Sequence, residues 1–119
     1  MKIYYFEKLD VWQNAKSLSV MIYKLTQQFP PEERFGITSQ LRRAVTSIAA
    51  NIAEGSGRPT GKEKRRFISM AYSSTLEVLN FIIISHDLNY LPEDAVITLR
   101  AEIELITNQL NKLHKSISV

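Results

Sequence analysis

The chain has 119 residues, enough for one domain with a hydrophobic core of its own. Its apolar fraction of 45% and charged fraction of 23% are those of a soluble globular protein, and the lack of cysteine excludes disulfides, thiolate metal sites and cysteine nucleophiles. The net charge of +3 is unevenly spread: between Ile37 and Arg66 seven cations (Arg42, Arg43, Arg58, Lys62, Lys64, Arg65 and Arg66) face only Glu54 and Glu63.

The N-terminal MKIYYFEKLDVW has neither the apolar core nor the small-residue cleavage site of a signal peptide. The densest apolar run, Phe81–Ile84, is far below the roughly 20 residues that span a bilayer. A cytoplasmic protein without membrane contact is expected. Val11, Ala15, Leu18, Ile22, Leu25 and Phe29 recur at helical spacing and predict a first helix over about 10–28. Asp10 and Gln13 have the spacing of a capping box at its start, and Pro30–Pro31 stops it. A short turn is expected at Pro31–Arg34.

A second helix over 38–56 presents Leu41, Ala44, Val45, Ile48, Ala49, Ile52 and Ala53 to a core, with Gly55 and Gly57 expected to supply left-handed backbone at its end. Thr60 and Glu63 form a second capping box, opening a third helix that runs to about Leu88. Its apolar residues cover more than one face. Phe81, Ile82, Ile83 and Ile84 span about 300° of the helix and cannot all enter one core, so this run is either enclosed by the other three helices or forms part of a subunit interface. Asn89 and Tyr90 break the helix. Pro92 suits the first position of a fourth, over 92–116, whose seam is Val96, Leu99, Ile103, Ile106, Leu110, Leu113 and Ile117. No strand-like alternation competes. The expected fold is all-α, an antiparallel up-down-up-down four-helix bundle in one domain.

The short link near Arg58 makes the second and third helices a hairpin. That places Arg43 level with Ser74 and within reach of Glu77, and Glu54 near Lys62 and Arg66 as pairing partners. Asn51 is expected to satisfy a polar group between helices. Cations at Lys62, Lys64, Arg65 and Arg66 oppose the dipole at the start of their own helix, which suggests a polyanionic ligand.

Sites for catalysis are not evident. The Glu-x-x-His pairs of di-iron bundles are absent, because Ile83 precedes His86 and Asn111 precedes His114 by three residues. The stretch Gly55–Lys62 fails the spacing of a phosphate loop and has no preceding strand. Haem ligation by His86, His114, Met21 or Met70 has no motif behind it. No cofactor, metal or small-molecule substrate is expected, and the protein reads as non-enzymatic. Trp12, beside the first seam residue, is expected to anchor the first helix.

FEKLDVW at Phe6–Trp12, Phe29–Pro30, QLRRA at Gln40–Ala44, SIAANIAEG at Ser47–Gly55 and FISMAYSSTLEV at Phe67–Val78 resemble the four-helix-bundle proteins encoded by intervening sequences in 23S rRNA genes. Accessory proteins of diversity-generating retroelements are related to these. The resemblance implies a homopentameric ring, nucleic-acid binding through basic surfaces and, in the retroelement branch, association with a reverse transcriptase. It marks Asn51, Glu54 and Gly55 as signature positions shaping the second helix's contact with the third. Arg42 and Arg43 match its QLRRA element. The function expected is a homo-oligomer that binds RNA or DNA through the seven cations. The alternative is a scaffold that docks a partner protein.

Overall fold

The computed structural model describes residues 1–119. Four helices account for most of it: α1 (Asp10–Thr26), α2 (Ile37–Ser56), α3 (Gly61–Asp87) and α4 (Glu93–Ser116). Short 3₁₀ turns at Tyr5–Lys8 and Pro31–Glu33 precede α1 and α2. Each helix packs on the next, α4 closes back on α1, and the diagonal pairs do not meet. Cross-helix contacts give the direction. Arg43 meets Glu77, Ser47 meets Ser74 and Gly55 meets Phe67, so α2 and α3 run antiparallel. Ser19 reaches the Val45 carbonyl while Arg42 reaches Thr26, which makes α1 and α2 antiparallel as well.

The seams read from the sequence form the core. Val11, Ala15, Leu18 and Ile22 from α1, Leu41, Ala44, Val45, Ile48 and Ile52 from α2, and Leu99, Ile103, Ile106 and Leu110 from α4 are buried in one cluster. The α3 contribution includes Ile68, Ala71, Val78 and Ile82. Each fully buried aliphatic side chain contributes about 1.5–3 kcal/mol. This accounts for helices whose own propensity would leave them marginal.

Several local expectations are corrected. The N-cap of α1 is Leu9, not Asp10, and the Gln13 amide donates instead to the Glu7 carbonyl at 2.8 Å. That bond ties α1 to the preceding turn. The helix stops at Thr26, sooner than Pro30 demands. Pro92 sits one position earlier than expected, as the N-cap of α4. Gly55 and Gly57 do not take left-handed backbone. The one residue with positive φ is Asn89 (63°), where α3 ends and the Tyr90 N–H returns to the Ser85 carbonyl at 2.8 Å. Of the expected Thr60–Glu63 box the hydroxyl half forms, with Thr60 Oγ1 accepting the Glu63 N–H at 3.2 Å, while the Glu63 carboxylate takes the Thr60 hydroxyl rather than its N–H.

The α3 helix is not enclosed by the other three, since it packs on α2 and α4 alone. By length and composition it is apolar enough to cross a membrane, yet only 39% of its most apolar stretch is buried within the protomer. Within Phe81–Ile84, Ile82 is in the core and Phe81 packs half-buried against it; Ile83 and Ile84 are 41% and 40% exposed. They diverge by about 100°. Ile83 follows Leu76 and Leu79 on the α4 side, and Ile84 follows Glu77 on the α2 side.

Candidate functional site

Alternating helix direction gathers sequence-distant residues at each end of a molecule 44 Å long. One end holds the starts of α1 and α3 and the finishes of α2 and α4. The half of the bundle built from residues 1–17, 48–73 and 106–119 contains ten of the 15 lysines and arginines but only four of the 12 carboxylates. Arg58, Lys62, Lys64, Arg65 and Arg66 lie in this half. Arg42 and Arg43 lie in the opposite half, apart from the other five.

The reason for cations at the start of α3 is visible in its neighbours. An antiparallel hairpin sets the start of one helix beside the finish of another, where free carbonyls and the negative dipole end attract positive charge. The Lys64 ammonium donates to the carbonyl of Ser56, the last residue of α2, at 3.0 Å. The Arg65 Nε donates to the carbonyl of Ile117, the C-cap of α4, at 2.9 Å. Arg42 does the same for α1, donating to the Tyr23 carbonyl at 3.2 Å and to Thr26 Oγ1 at 2.8 Å. The dipole of α3 therefore gives no evidence for an anionic ligand. Lys64, Arg65 and Arg42 each hold the end of a neighbouring helix.

What remains uncompensated is the formal charge. Of the seven cations only Arg43 forms an ion pair, with Glu77, and it also donates to Gln40 at 3.1 Å. Glu54 is exposed and pairs with neither Lys62 nor Arg66. Arg58 and Arg66 stack on Phe67, with guanidinium carbons 4.4 and 5.8 Å from the ring centroid. Stacking fixes these two groups while leaving their N–H donors free. Lys62 is exposed, and Arg65 uses Nε alone, so its terminal nitrogens also stay available.

The α2–α3 seam supports this end. Asn51 Nδ2 donates to the Ser47 carbonyl at 2.9 Å and to Ser47 Oγ at 3.1 Å, and Ser47 Oγ bonds Ser74 Oγ across the interface at 2.9 Å. Asn51 therefore acts within its own helix and reaches α3 through a serine. Gly55 is buried, and a Cβ there would lie 2.8 Å from the Cβ of Phe67. Its missing side chain lets α2 and α3 approach closely at the point where the Phe67 platform sits. The hairpin register is about one turn from that expected, with Ser47 rather than Arg43 opposite Ser74. Residues 57–60 lie outside both helices and make a wider reversal. Trp12 is only partly buried and packs edge-on against Phe6, ring centroids 5.0 Å apart, pinning the N-terminal turn to α1.

A family model described as 23S rRNA-intervening sequence protein matches residues 7–112. The chain belongs to this family. A solved structure with the same fold is a protein of unknown function from the S23 ribosomal protein family of Bacteroides thetaiotaomicron. It is 19% identical, with a TM-score of 0.79, over 89% of this chain and 99% of that one. No curated protein matches the sequence. In this member of the 23S rRNA-intervening sequence family, Asn51 and Gly55 shape the helix pairing, whereas Glu54 is free at the surface.

Sequence reasoning missed Lys2, Lys8, Lys16, Lys112 and Lys115 as members of the basic half. They are far from Arg58–Arg66 in the chain and join it through topology. Their signal was present in the helix order: the start of α1 and the finish of α4 must lie where α2 turns into α3.

Proposed function

We propose that this protein is a non-enzymatic homo-oligomer that binds nucleic acid through the basic end of its bundle. The observation that carries the proposal is the concentration of ten cations against four carboxylates in one half, with none of Arg58, Lys62, Lys64, Arg65 or Arg66 in an ion pair. Arg58, Lys62, Arg65 and Arg66 supply the phosphate contacts, and Lys2, Lys8, Lys112 and Lys115 extend the positive field. Arg42 and Arg43 serve helix fastening and the α2–α3 pairing. Oligomerisation is supported by the open side of α3, where Leu76 (49% exposed) lines a groove against α4 with Tyr72, Leu79 and Ile103, and Ile83, two turns further on, is exposed on the same side. The pentameric ring implied by the family resemblance repeats the basic end five times, so weak contacts add through multivalency.

A gel-shift salt series with RNA and DNA tests the binding. Affinity is expected to fall steeply with salt, and Lys62→Gln with Arg66→Gln reduces both affinity and salt slope. Absence of any shift at low salt overturns the proposal. Light scattering checks the assembly, where a mass five times the 13.6 kDa protomer is expected and a monomer refutes the ring.

A second reading is a scaffold that docks a protein partner such as a reverse transcriptase. It is favoured by the outward stripe of Ile97 (63% exposed), Ala101 and Leu105 on α4. Co-purification of one defined protein, lost in Ile97→Glu, supports that reading.

A further inference from the structure

At the basic end the core does not close. A cavity of about 380 Å³ opens between the finishes of α2 and α4, the start of α3 and the N-terminal turn. That volume falls within the range, about 300–1,000 Å³, of pockets that hold small organic groups. Its inner wall is apolar: Ile52 and Ile68 are buried, with Leu113 and Ile117 beside them. Gly55 contributes wall without a side chain. The Tyr5 ring forms part of the wall while remaining 67% exposed, an aromatic held in water beside an apolar slot.

The polar groups of the wall are sparse, and its two serine hydroxyls share one character. Ser56 donates its hydroxyl proton to the Ala53 carbonyl at 2.7 Å, and Ser116 donates to the Leu113 carbonyl at 2.7 Å. Each oxygen is left as an acceptor at the wall. Lys64, also in the wall, is held on Ser56, and Arg65 is held at the rim by its Nε on the carbonyl of the wall residue Ile117, with its terminal nitrogens free. An occupant must therefore have apolar faces, donors at an edge and a negative charge outside the slot. A nucleobase on its sugar-phosphate backbone meets all three requirements.

We propose that this cavity receives one unpaired nucleobase, so that the protein selects single strands and overhanging ends over blunt duplex. The base stacks against Tyr5 and the Ile117 edge, its exocyclic amine faces the serine oxygens, and a flanking phosphate meets the terminal nitrogens of Arg65. A base within a duplex would have to leave its stack first, which disfavours it. This inference rests on the reading of the basic end as a nucleic-acid site and adds which form of nucleic acid it takes.

Fluorescence anisotropy at fixed salt with a single-stranded 16-mer, the blunt duplex of the same sequence and that duplex with a three-nucleotide overhang tests it. The duplex carries the higher charge density, so electrostatics alone favours it. The expected result is the reverse, with the single strand and the overhang bound about tenfold more tightly than blunt duplex, in line with the effect of one stacked base. Tyr5→Ala removes the platform, and Ser116→Trp on the exposed rim fills the mouth. Both are expected to cut that preference several-fold while leaving the salt slope and the far-UV spectrum unchanged. Equal or tighter binding of blunt duplex, with normal salt dependence, overturns the cavity proposal and leaves the basic-end reading standing. A preference that survives both variants also overturns it. No binding of any probe at low salt overturns both.

Discussion

Gly55→Ala isolates the close approach of α2 and α3. The added Cβ would sit 2.8 Å from Phe67 Cβ, against an ordinary carbon–carbon separation of about 3.5–4.0 Å. Both atoms are fixed to backbone, so no rotamer change relieves the overlap. The helices must separate by roughly 1 Å, which loosens the Ser47–Ser74 bond and the Phe67 platform. Overpacking of this kind costs about 1–3 kcal/mol. Alanine's helix preference over glycine returns at most about 1 kcal/mol, and less at the penultimate residue of α2. The net expectation is a loss of about 1–2 kcal/mol, a fall of about 5 °C in Tm for a domain of this size. Gly57→Ala is the control. Its φ of −92° is open to alanine and the nearest atom to a new Cβ, the Glu54 carbonyl oxygen, is 3.7 Å away. That variant is expected to gain about 0.4–1 kcal/mol. Urea denaturation of both variants reads the difference directly. Gly55→Ala at wild-type stability or above would refute the close-approach argument.

Three further outcomes are expected. Arg42→Met removes the donors to Tyr23 and Thr26 and is expected to cost about 1 kcal/mol in urea unfolding; an unchanged midpoint would show that the α1 terminus does not depend on it. Ser85→Ala is expected to be neutral or to stabilise by about 1 kcal/mol, because the Ser85 hydroxyl is fully buried without a partner; a clear loss of stability would reveal a bond it makes. Tyr90 donates its hydroxyl to Glu33 at 2.9 Å, and this bond, then burial, then the charges of Glu33 and Glu32 hold its pKa above the ordinary tyrosine value. The protonated form is the one the fold favours, so this contribution is intact below the ordinary tyrosine range and is lost as pH rises through the raised value. Ultraviolet titration of the folded protein is expected to show one late-ionising tyrosine that vanishes in Tyr90→Phe. Five tyrosines ionising together would contradict it.

Periodic features are legible in the sequence alone. The seams of α1 and α4 were read residue by residue because a repeating apolar stripe is a local property that survives into the packed bundle. The Arg43–Glu77 pair followed from a short hairpin link. Features that depend on which helix end lies beside which were harder. Lys64 and Arg65 looked misplaced against their own helix dipole, and only the adjoining finishes of α2 and α4 explain them. Gly55 was read as a turn residue because glycine's backbone freedom is the commoner reason for its use, whereas here its lack of volume matters. The cavity and Tyr5 were not legible. Its walls come from four separate stretches of the chain, and no spacing rule connects them.

The cations that clasp neighbouring helix ends impose a trade-off on any polyanion that arrives. A ligand engaging Lys62 and Arg66 takes nothing from the scaffold. One that pulls Lys64 off Ser56, or the Arg65 Nε off Ile117, unbuttons α2 or α4, and its grip is weakened by the fraying it causes. Selection among phosphates at this end is thus partly mechanical, favouring geometries that leave the fasteners in place.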